Sequence, residues 1–219
     1  MAQAKPSDVL LLKNRAWAEE TKARDAGFFE RLAETQAPRF LWIGCADSRV
    51  PADAITGTRP GEIFVHRNVA NMVVHTDLNM LSVLSYAVNV LEVEHVIVCG
   101  HHGCGGVRSA MGRKDLGLIN KWLLNIKDVC AAHLDELDAI PDPRRREDRL
   151  VELNVMAQVH NLMKTTIIQR AWKKRRSPWL HGWVYDLSDG VLQELEAIEP
   201  GTPLEYPFAL DVEEGADPE

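Results

Sequence analysis

Two short segments of the 219-residue chain carry side chains that bind soft metal ions. His101 and Cys104 are three residues apart and follow a β-branched run that ends at Gly100. Cys45 and Asp47 directly follow another apolar run. Thiolate and imidazole ligands favour zinc over magnesium or calcium, and four such ligands suit tetrahedral coordination. The sequence therefore predicts one Zn²⁺ per chain, held by Cys45, Asp47, His101 and Cys104.

Arg49 lies two residues after Asp47 and can offer its carboxylate a forked, charge-assisted partner. A zinc ion with four protein ligands is usually structural, whereas a catalytic zinc keeps one position for water. We predict that Asp47 exchanges between Zn²⁺ and Arg49, and that water takes the fourth position while Asp47 pairs with Arg49. Zinc then lowers the pKa of that water and supplies hydroxide. Asp47 and Arg49 are the predicted catalytic pair.

The residues alone exclude one alternative kind of site and leave two others open. A cysteine-dependent phosphatase loop is excluded, because it needs an arginine six residues after the cysteine and the corresponding positions 51, 105 and 110 hold Pro, Gly and Ala. A simple Cys–His nucleophilic pair is still compatible with the sequence. A permanently closed structural zinc site is the second alternative. Arg49 argues against it, because a structural site does not need a competing cation.

Strands that alternate with helices must position these residues. Apolar runs predict strands at 39–44, 62–67, 95–99, 179–187 and 191–198. Helical patterns run to about residue 24 after a Ser7–Asp8 cap, and then over 25–34, 77–91, 105–111, 116–140 and 144–175, the last as one helix or two. This alternation predicts an α/β fold with a central sheet of four mostly parallel strands, an antiparallel edge strand and helices on both faces. Ligand sites in such sheets lie beyond the carboxyl ends of the strands, where both candidate segments fall.

Length and composition bound the domain organisation. A chain of 219 residues with 46% hydrophobic residues supports one domain with a sizeable core, or at most one domain with an appendage. We predict an N-terminal helical arm over residues 1–35 that packs on a partner subunit, an α/β zinc-binding domain over 36–211 and a disordered acidic tail over 212–219.

Charge and hydropathy also exclude several classes of partner. The net charge of −7 argues against nucleic acid and anionic membranes, and we interpret the basic runs 144–146 and 173–176 as solvated helix faces. No apolar run approaches the roughly 18 residues that span a membrane. The first apolar run is also too short for a signal peptide. The protein is therefore predicted to be cytoplasmic, with its four cysteines reduced.

Four ordered motifs resemble those of the β-class carbonic anhydrases. They are Cys45-Ala-Asp-Ser-Arg49, Pro60-Gly-Glu62, Arg67-Asn-Val-Ala-Asn71 and Gly100-His-His-Gly-Cys-Gly-Gly106. The resemblance extends from the first predicted strand to Leu187. It implies a zinc enzyme that interconverts carbon dioxide and bicarbonate, with metal ligands at Cys45, His101 and Cys104 and an Asp–Arg dyad at Asp47 and Arg49. It also implies a homodimer as the minimal unit and a homotetramer as the expected assembly.

The same resemblance implies a substrate pocket and a regulatory site. The family's apolar pocket, formed at a dimer interface, matches Gln36, Phe64, Val69 and Tyr86. Its walls suit the uncharged carbon dioxide, whose oxygens Gln36 could orient. The type II subgroup has a second, inhibitory bicarbonate site, which matches Trp42, Gly44, Arg67 and Tyr185. In that subgroup bicarbonate and low pH would favour the state with Asp47 on zinc.

Further alternatives concern the substrate and single residues. The same motifs are also compatible with a hydrolase of another small substrate, such as carbonyl sulfide. Cys99 is predicted to be a packed strand residue, and His102 is interpreted as a surface imidazole that could shuttle protons if it lies at the rim of the site.

Overall fold

The computed structural model describes residues 5–212, and the chain divides into two compact units, one up to Ala37 and one from Pro38 onward. Apart from Val212, the predicted acidic tail over 212–219 lies outside the described residues. The predicted role of the N-terminal arm in partner binding stays a prediction.

Two helices form the first unit. Helix α1 (Pro6–Arg24) begins earlier than the predicted cap, because Pro6 fits the first turn and Asp8 instead accepts a hydrogen bond from the Lys5 amide at 3.2 Å. Helix α2 (Phe28–Glu34) packs the ring of Phe29 edge-on against Trp17 of α1, with ring centroids 5.6 Å apart.

The apolar side chains of α1 remain largely exposed. None of its residues is buried, and Leu10, Leu11 and Leu12 keep 67%, 62% and 60% of their surface accessible. A run of exposed leucines on one helix is typical of a surface that packs against another chain.

A five-stranded sheet forms the centre of the second unit, and this confirms the predicted α/β fold. Its strands are β1 (Phe40–Cys45), β2 (Ile63–Asn68), β3 (His95–His101), β4 (Trp179–Tyr185) and β5 (Leu192–Ile198). The spatial order is β2-β1-β3-β4-β5, with β1 to β4 parallel and β5 antiparallel to β4. Strands β1 and β3 are neighbours and are buried on both faces, so they place their carboxyl ends side by side.

Helices cover the sheet, and they differ from the sequence prediction in two places. They are α3 (Ala52–Thr56), α4 (Leu78–Asn89), α5 (Gly105–Met111), α6 (Ile119–Ala132), α7 (Leu134–Asp138), α8 (Pro143–Met163) and α9 (Thr166–Arg175). The short helix α3 was not predicted. The single helix predicted over 116–140 was wrong, because the chain breaks at His133 so that Leu137 of α7 enters the core. The region 144–175 was predicted to form one helix or two, and it forms two, α8 and α9.

The buried face of α4 packs against the sheet. Met80, Leu84 and Val88 are fully buried, whereas Leu78 is 76% exposed. Leu78 is the first helical residue, directly after the Asp77 cap. Each fully buried leucine contributes about 1.5–3 kcal/mol to folding. No helix in the part of the chain that the structure describes has both the length and the apolar character that crossing a membrane requires.

Helix α8 approaches the sheet closely because small residues face it. A Cβ atom added at Gly100 of β3 would lie 2.6 Å from Val155, and one at Gly182 of β4 would lie 3.1 Å from the same side chain. The two glycines therefore allow α8 to lie close against β3 and β4.

Candidate metal centre

Three predicted ligands converge at the carboxyl ends of β1 and β3. Cys45 ends β1, His101 ends β3 and Cys104 precedes α5, and all three are buried. Their ligand atoms lie within 4.8 Å of one another, and the two sulfurs are 3.9 Å apart. Two sulfurs bound about 2.3 Å from a tetrahedral zinc are separated by roughly 3.8 Å. The observed spacing therefore fits zinc without rearrangement of the backbone.

His101 is fixed in the tautomer that a metal needs. Its Nδ1 lies 3.2 Å from the His102 carbonyl oxygen, which can only accept a hydrogen bond, so Nδ1 carries the proton. The Nε2 atom consequently presents a lone pair, and it is buried without a hydrogen-bond partner. A buried nitrogen without a hydrogen-bond partner lowers the stability of the fold. A metal ion would pair with this nitrogen and with the two adjacent sulfurs at once.

The two thiols favour loss of a proton at this position. The thiol of Cys104 stabilises the thiolate of Cys45 and lowers the pKa of Cys45, while the same contact raises the pKa of Cys104. The backbone amides of Gly106 and Val107, at the start of α5, oppose the rise at Cys104. Cys45 and Cys104 would bind zinc as thiolates, with release of their thiol protons to solvent.

Asp47 pairs with Arg49 and lies beside the cluster. Its Oδ1 accepts hydrogen bonds from the Arg49 backbone amide and Nε, both at 2.9 Å, and its Oδ2 accepts from Nη2 at 2.7 Å. The same Oδ2 lies 3.7 Å from Nε2 of His101. Hydrogen bonds from Arg49 hold the pKa of Asp47 well below its usual range. Asp47 is therefore an ionised carboxylate close to the fourth position of the centre, and its role as a ligand stays a prediction.

Two predicted regulatory residues, Trp42 and Gly44, lie on one face of β1. A Cβ atom added at Gly44 would lie 2.3 Å from the indole Nε1 of Trp42, so the ring covers this glycine. Trp42 is fully buried and contacts Trp183 edge-on. Tyr185 of β4 is half-buried and packs against the same cluster.

Arg67 connects that face to the metal loop. It pairs with Gly44 across β1 and β2, donates from Nε to the Cys45 carbonyl at 2.8 Å and donates from Nη2 to the Asp47 carbonyl. A guanidinium has five N–H groups. Arg67 therefore holds the loop in place with two of them and keeps three for another acceptor.

His102 differs from its predicted role as a surface imidazole. Its side chain is only 19% exposed and lies between Glu152 and Asp186, with an N···O distance of 3.4 Å to each carboxylate. Of these two contacts the one between Nδ1 and Asp186 is a hydrogen bond, and it holds the turn whose carbonyl fixes the His101 tautomer. His102 is therefore placed to support the ligand rather than to form the rim of the site.

The predicted pocket residues are brought together in part. Phe64 and Tyr86 have ring centroids 5.8 Å apart, and Val69 lies against Gly106, where an added Cβ would be 2.9 Å from it. Val69 and Tyr86 remain 37% and 43% exposed, which leaves them accessible to a ligand. Gln36 is an exposed residue of the first unit, and its predicted place in the pocket stays a prediction.

Sequence reasoning missed the residues that hold the loop around Val69. Ala70 and Asn71 both adopt left-handed backbone conformations, with φ of 64° and 50°, which are uncommon for residues other than glycine. Helix α8 secures the loop with three amide side chains spaced four and three residues apart, on one helix face. These side chains are Asn154, Gln158 and Asn161, which bond to the backbone of Ala70 and Val73 and to one another.

We expect Gln158→Leu to destabilise the protein by about 1–3 kcal/mol, because it leaves the buried Val73 amide without the acceptor that now lies at 2.8 Å. Denaturant unfolding measures the change. Gln193→Leu, at an exposed position of β5, is the matched control and should have little effect. Equal stability of the Gln158→Leu variant and the wild-type protein would contradict a supporting role for the amide row.

Comparisons with known proteins agree with this geometry. The carbonic anhydrase family model matches residues 40–192. The chain is 48% identical to a carbonic anhydrase of Emericella nidulans over 194 residues, which are 89% of this chain and 85% of that protein. It is similar to a tetrameric β-carbonic anhydrase of Sordaria macrospora, with a TM-score of 0.84 and 41% identity over 87% of this chain and 98% of the other. A Coccomyxa β-carbonic anhydrase in complex with acetazolamide gives a TM-score of 0.84 and 38% identity, over 91% of this chain and 89% of the other.

The sheet and its Cys–His–Cys centre are those of an α/β zinc enzyme. Within that class, the chain belongs to the β-class carbonic anhydrase family. The family is zinc-dependent, and Cys45, His101 and Cys104 form the cluster suited to the ion. The predicted zinc cofactor and the predicted type of enzyme are thereby confirmed.

Proposed function

We propose that this protein catalyses the reversible hydration of carbon dioxide to bicarbonate and a proton. The observation that carries the proposal is a buried three-ligand centre beside which Arg49 holds Asp47, so that the protein supplies three ligands and leaves a fourth position open. When bound there, zinc supplies Lewis-acid chemistry that lowers the pKa of water toward neutrality. A closed structural centre would instead engage Asp47.

The residues around the open position would orient the reactants. Arg49 uses three of the roughly four lone-pair sites of the Asp47 carboxylate and leaves one acceptor site. Asp47 can thus accept a hydrogen bond from the attacking water and fix its direction. The apolar surfaces of Phe64, Val69 and Tyr86 would receive carbon dioxide, which needs no hydrogen bond. A stopped-flow comparison of carbon dioxide hydration with carbonyl sulfide hydrolysis tests this substrate assignment, and preferred turnover of carbonyl sulfide would contradict it.

We further propose that Asp47 can leave Arg49 and close the fourth position. Arg49 keeps the pKa of Asp47 low while the two are paired, so the proposed exchange is a competition between two cations for an ionised carboxylate. With zinc held by Cys45, His101 and Cys104, hydroxide would compete with Asp47 for the same position, and its lower concentration at low pH would favour the closed state.

A bicarbonate ion bound near Trp42 is the proposed trigger for closure. Arg67 holds the carbonyls of Cys45 and Asp47 and has three further N–H groups to offer an anion. An anion that draws Arg67 away from the Asp47 carbonyl would release the loop that carries Asp47. The ring nitrogen of Trp42, which lies against Gly44, supplies another donor.

We expect Trp42→Phe to raise the bicarbonate concentration needed for inhibition about tenfold, since a hydrogen bond to a charged group is lost while most of the ring packing remains. Carbon dioxide hydration at increasing bicarbonate measures the effect. Trp183→Phe is the control, because its indole donates to Glu194 at 3.0 Å instead. Identical bicarbonate inhibition of Trp42→Phe and wild-type protein would exclude Trp42 from the site.

We also propose that the N-terminal arm packs on a second copy of this chain. The exposed leucines of α1 offer an apolar surface for that contact, and the similar Sordaria macrospora proteins are tetramers. A homodimer as the minimal unit and a homotetramer are the proposed assemblies. Cytoplasmic localisation stays a prediction.

A further inference from the structure

Helices α4 and α9 enclose a cavity of about 210 Å³ that plays no part in the site described above. Three basic side chains line it, namely Arg170, Lys174 and Arg175 of α9. Arg170 and Lys174 are four residues apart, so they lie one turn apart on the same helix face. Like charges at this spacing destabilise a helix. The helix dipole favours cations in the last turn, which accounts for Lys174 and Arg175 but not for Arg170 in the helix interior.

Within residues 5–212 these charges have no ion-pair partner. Among the residues that the structure describes, none of the three forms an ion pair. Glu92 is the one carboxylate in the cavity wall, and it too lies outside ion-pair distance of all three cations. The cavity therefore carries a positive excess in a protein whose net charge is −7.

Arg175 is the most constrained of the three cations. Its Nη2 donates to the Val88 carbonyl of α4, which holds the half-buried guanidinium against that helix. Burial lowers the pKa of Arg175, and Glu92 offsets this only in part. A desolvated guanidinium with unused donors favours a charged oxygen as its partner.

Hydroxyl groups complete the lining. The Ser85 oxygen accepts a hydrogen bond from Nδ2 of Asn89 at 3.1 Å, which leaves the Ser85 hydroxyl proton free to donate into the cavity. Thr166, one turn before Arg170 on α9, contributes a second hydroxyl. Several cations combined with hydroxyl donors are the groups that recognise a tetrahedral oxyanion.

We propose that the cavity between α4 and α9 binds a phosphate dianion, either free or as the phosphoryl group of a small monoester, through Arg170, Lys174 and Arg175. A dianion with four oxygens offers three cations and two hydroxyls more charge and more acceptor sites than a monoanion such as bicarbonate or chloride. The proposal is independent of the reaction at the metal centre, because none of these residues belongs to it.

Isothermal titration of the zinc-loaded full chain with inorganic phosphate, at low ionic strength, tests the proposal. We expect one phosphate per chain, binding at least about tenfold more weakly in the double variant Arg170→Gln, Lys174→Gln. The control is Arg144→Gln, Arg145→Gln, which removes the same charge from the exposed start of α8 and should bind phosphate as the wild-type protein does. Glycerol 3-phosphate in a parallel titration distinguishes a monoester from free phosphate.

Two outcomes would overturn the proposal. The first is that the wild-type protein binds no phosphate at millimolar concentration. The second is that the Arg170→Gln, Lys174→Gln variant and its control bind phosphate equally well. The single variant Lys174→Gln changes only an exposed side chain and gives the same comparison if the double variant unfolds. Carbon dioxide hydration without phosphate should be unchanged in all of these variants.

Discussion

Replacing Cys104 with serine is expected to remove zinc from the protein and to abolish carbon dioxide hydration. Cys104 is 3% exposed, and its sulfur lies 3.9 Å from that of Cys45, so the two sulfurs form one edge of the ligand set. A serine hydroxyl does not ionise near neutral pH and is a poor ligand for zinc. Because even a supporting residue around a metal contributes 10–100-fold to affinity, loss of a direct ligand should exceed about 100-fold.

The zinc content of the purified variant, measured by elemental analysis, and its hydration rate in the stopped-flow spectrometer are the two readouts. Cys130→Ser is the matched control, since Cys130 is a half-buried free thiol of α6 outside the ligand cluster. The control should keep one zinc per chain and full activity. A Cys104→Ser variant that keeps stoichiometric zinc would refute the ligand assignment.

The second large effect is expected from Arg49→Ala, which should keep zinc bound but lower kcat/KM by on the order of 100-fold or more. Without the guanidinium, Asp47 loses the side-chain hydrogen bonds at 2.9 and 2.7 Å and keeps only the one from the backbone amide. The carboxylate is then free to take the fourth position, from which it would exclude water. Arg49→Lys should recover part of the activity, because it restores the charge but not the fork.

Arg39→Ala is a close control for Arg49→Ala. Arg39 forms the same forked pair with Glu94, with its Nε 2.9 Å from the carboxylate. It directly precedes β1, at the amino end of the strand, whereas the metal cluster lies at the carboxyl end. Removal of Arg39 should leave both zinc content and kcat/KM unchanged. Full activity of Arg49→Ala would remove the Asp–Arg pair from the mechanism. Loss of zinc from that variant would instead show that Arg49 is needed to form the centre.

The sequence was informative where local pattern and global fold agree. The apolar runs before Cys45 and before His101 could be recognised as buried strands, and the parallel arrangement then brought their carboxyl ends together. The structure places β1 and β3 side by side, so the convergence of Cys45, His101 and Cys104 followed from strand patterns and ligand chemistry.

The features that the sequence did not predict depend on contacts between distant segments. Gln158 supports Val73 from 85 residues away, and a single polar residue on a helix does not reveal its partner. The break at His133 carries no proline or glycine signal and arises because Leu137 is buried in the core. His102 was misjudged for the same reason, since Glu152 and Asp186 reach it from two other elements.

The most direct test of the central claim is the initial rate of carbon dioxide hydration, measured in the same samples as zinc content during stepwise removal of zinc by a chelator. We expect the rate to be proportional to the zinc content, to fall to that of the Cys104→Ser variant when the metal is gone, and to return when zinc is added back. A protein that holds one zinc per chain and hydrates carbon dioxide no faster than Cys104→Ser would contradict the account, as would full hydration after the metal has been removed.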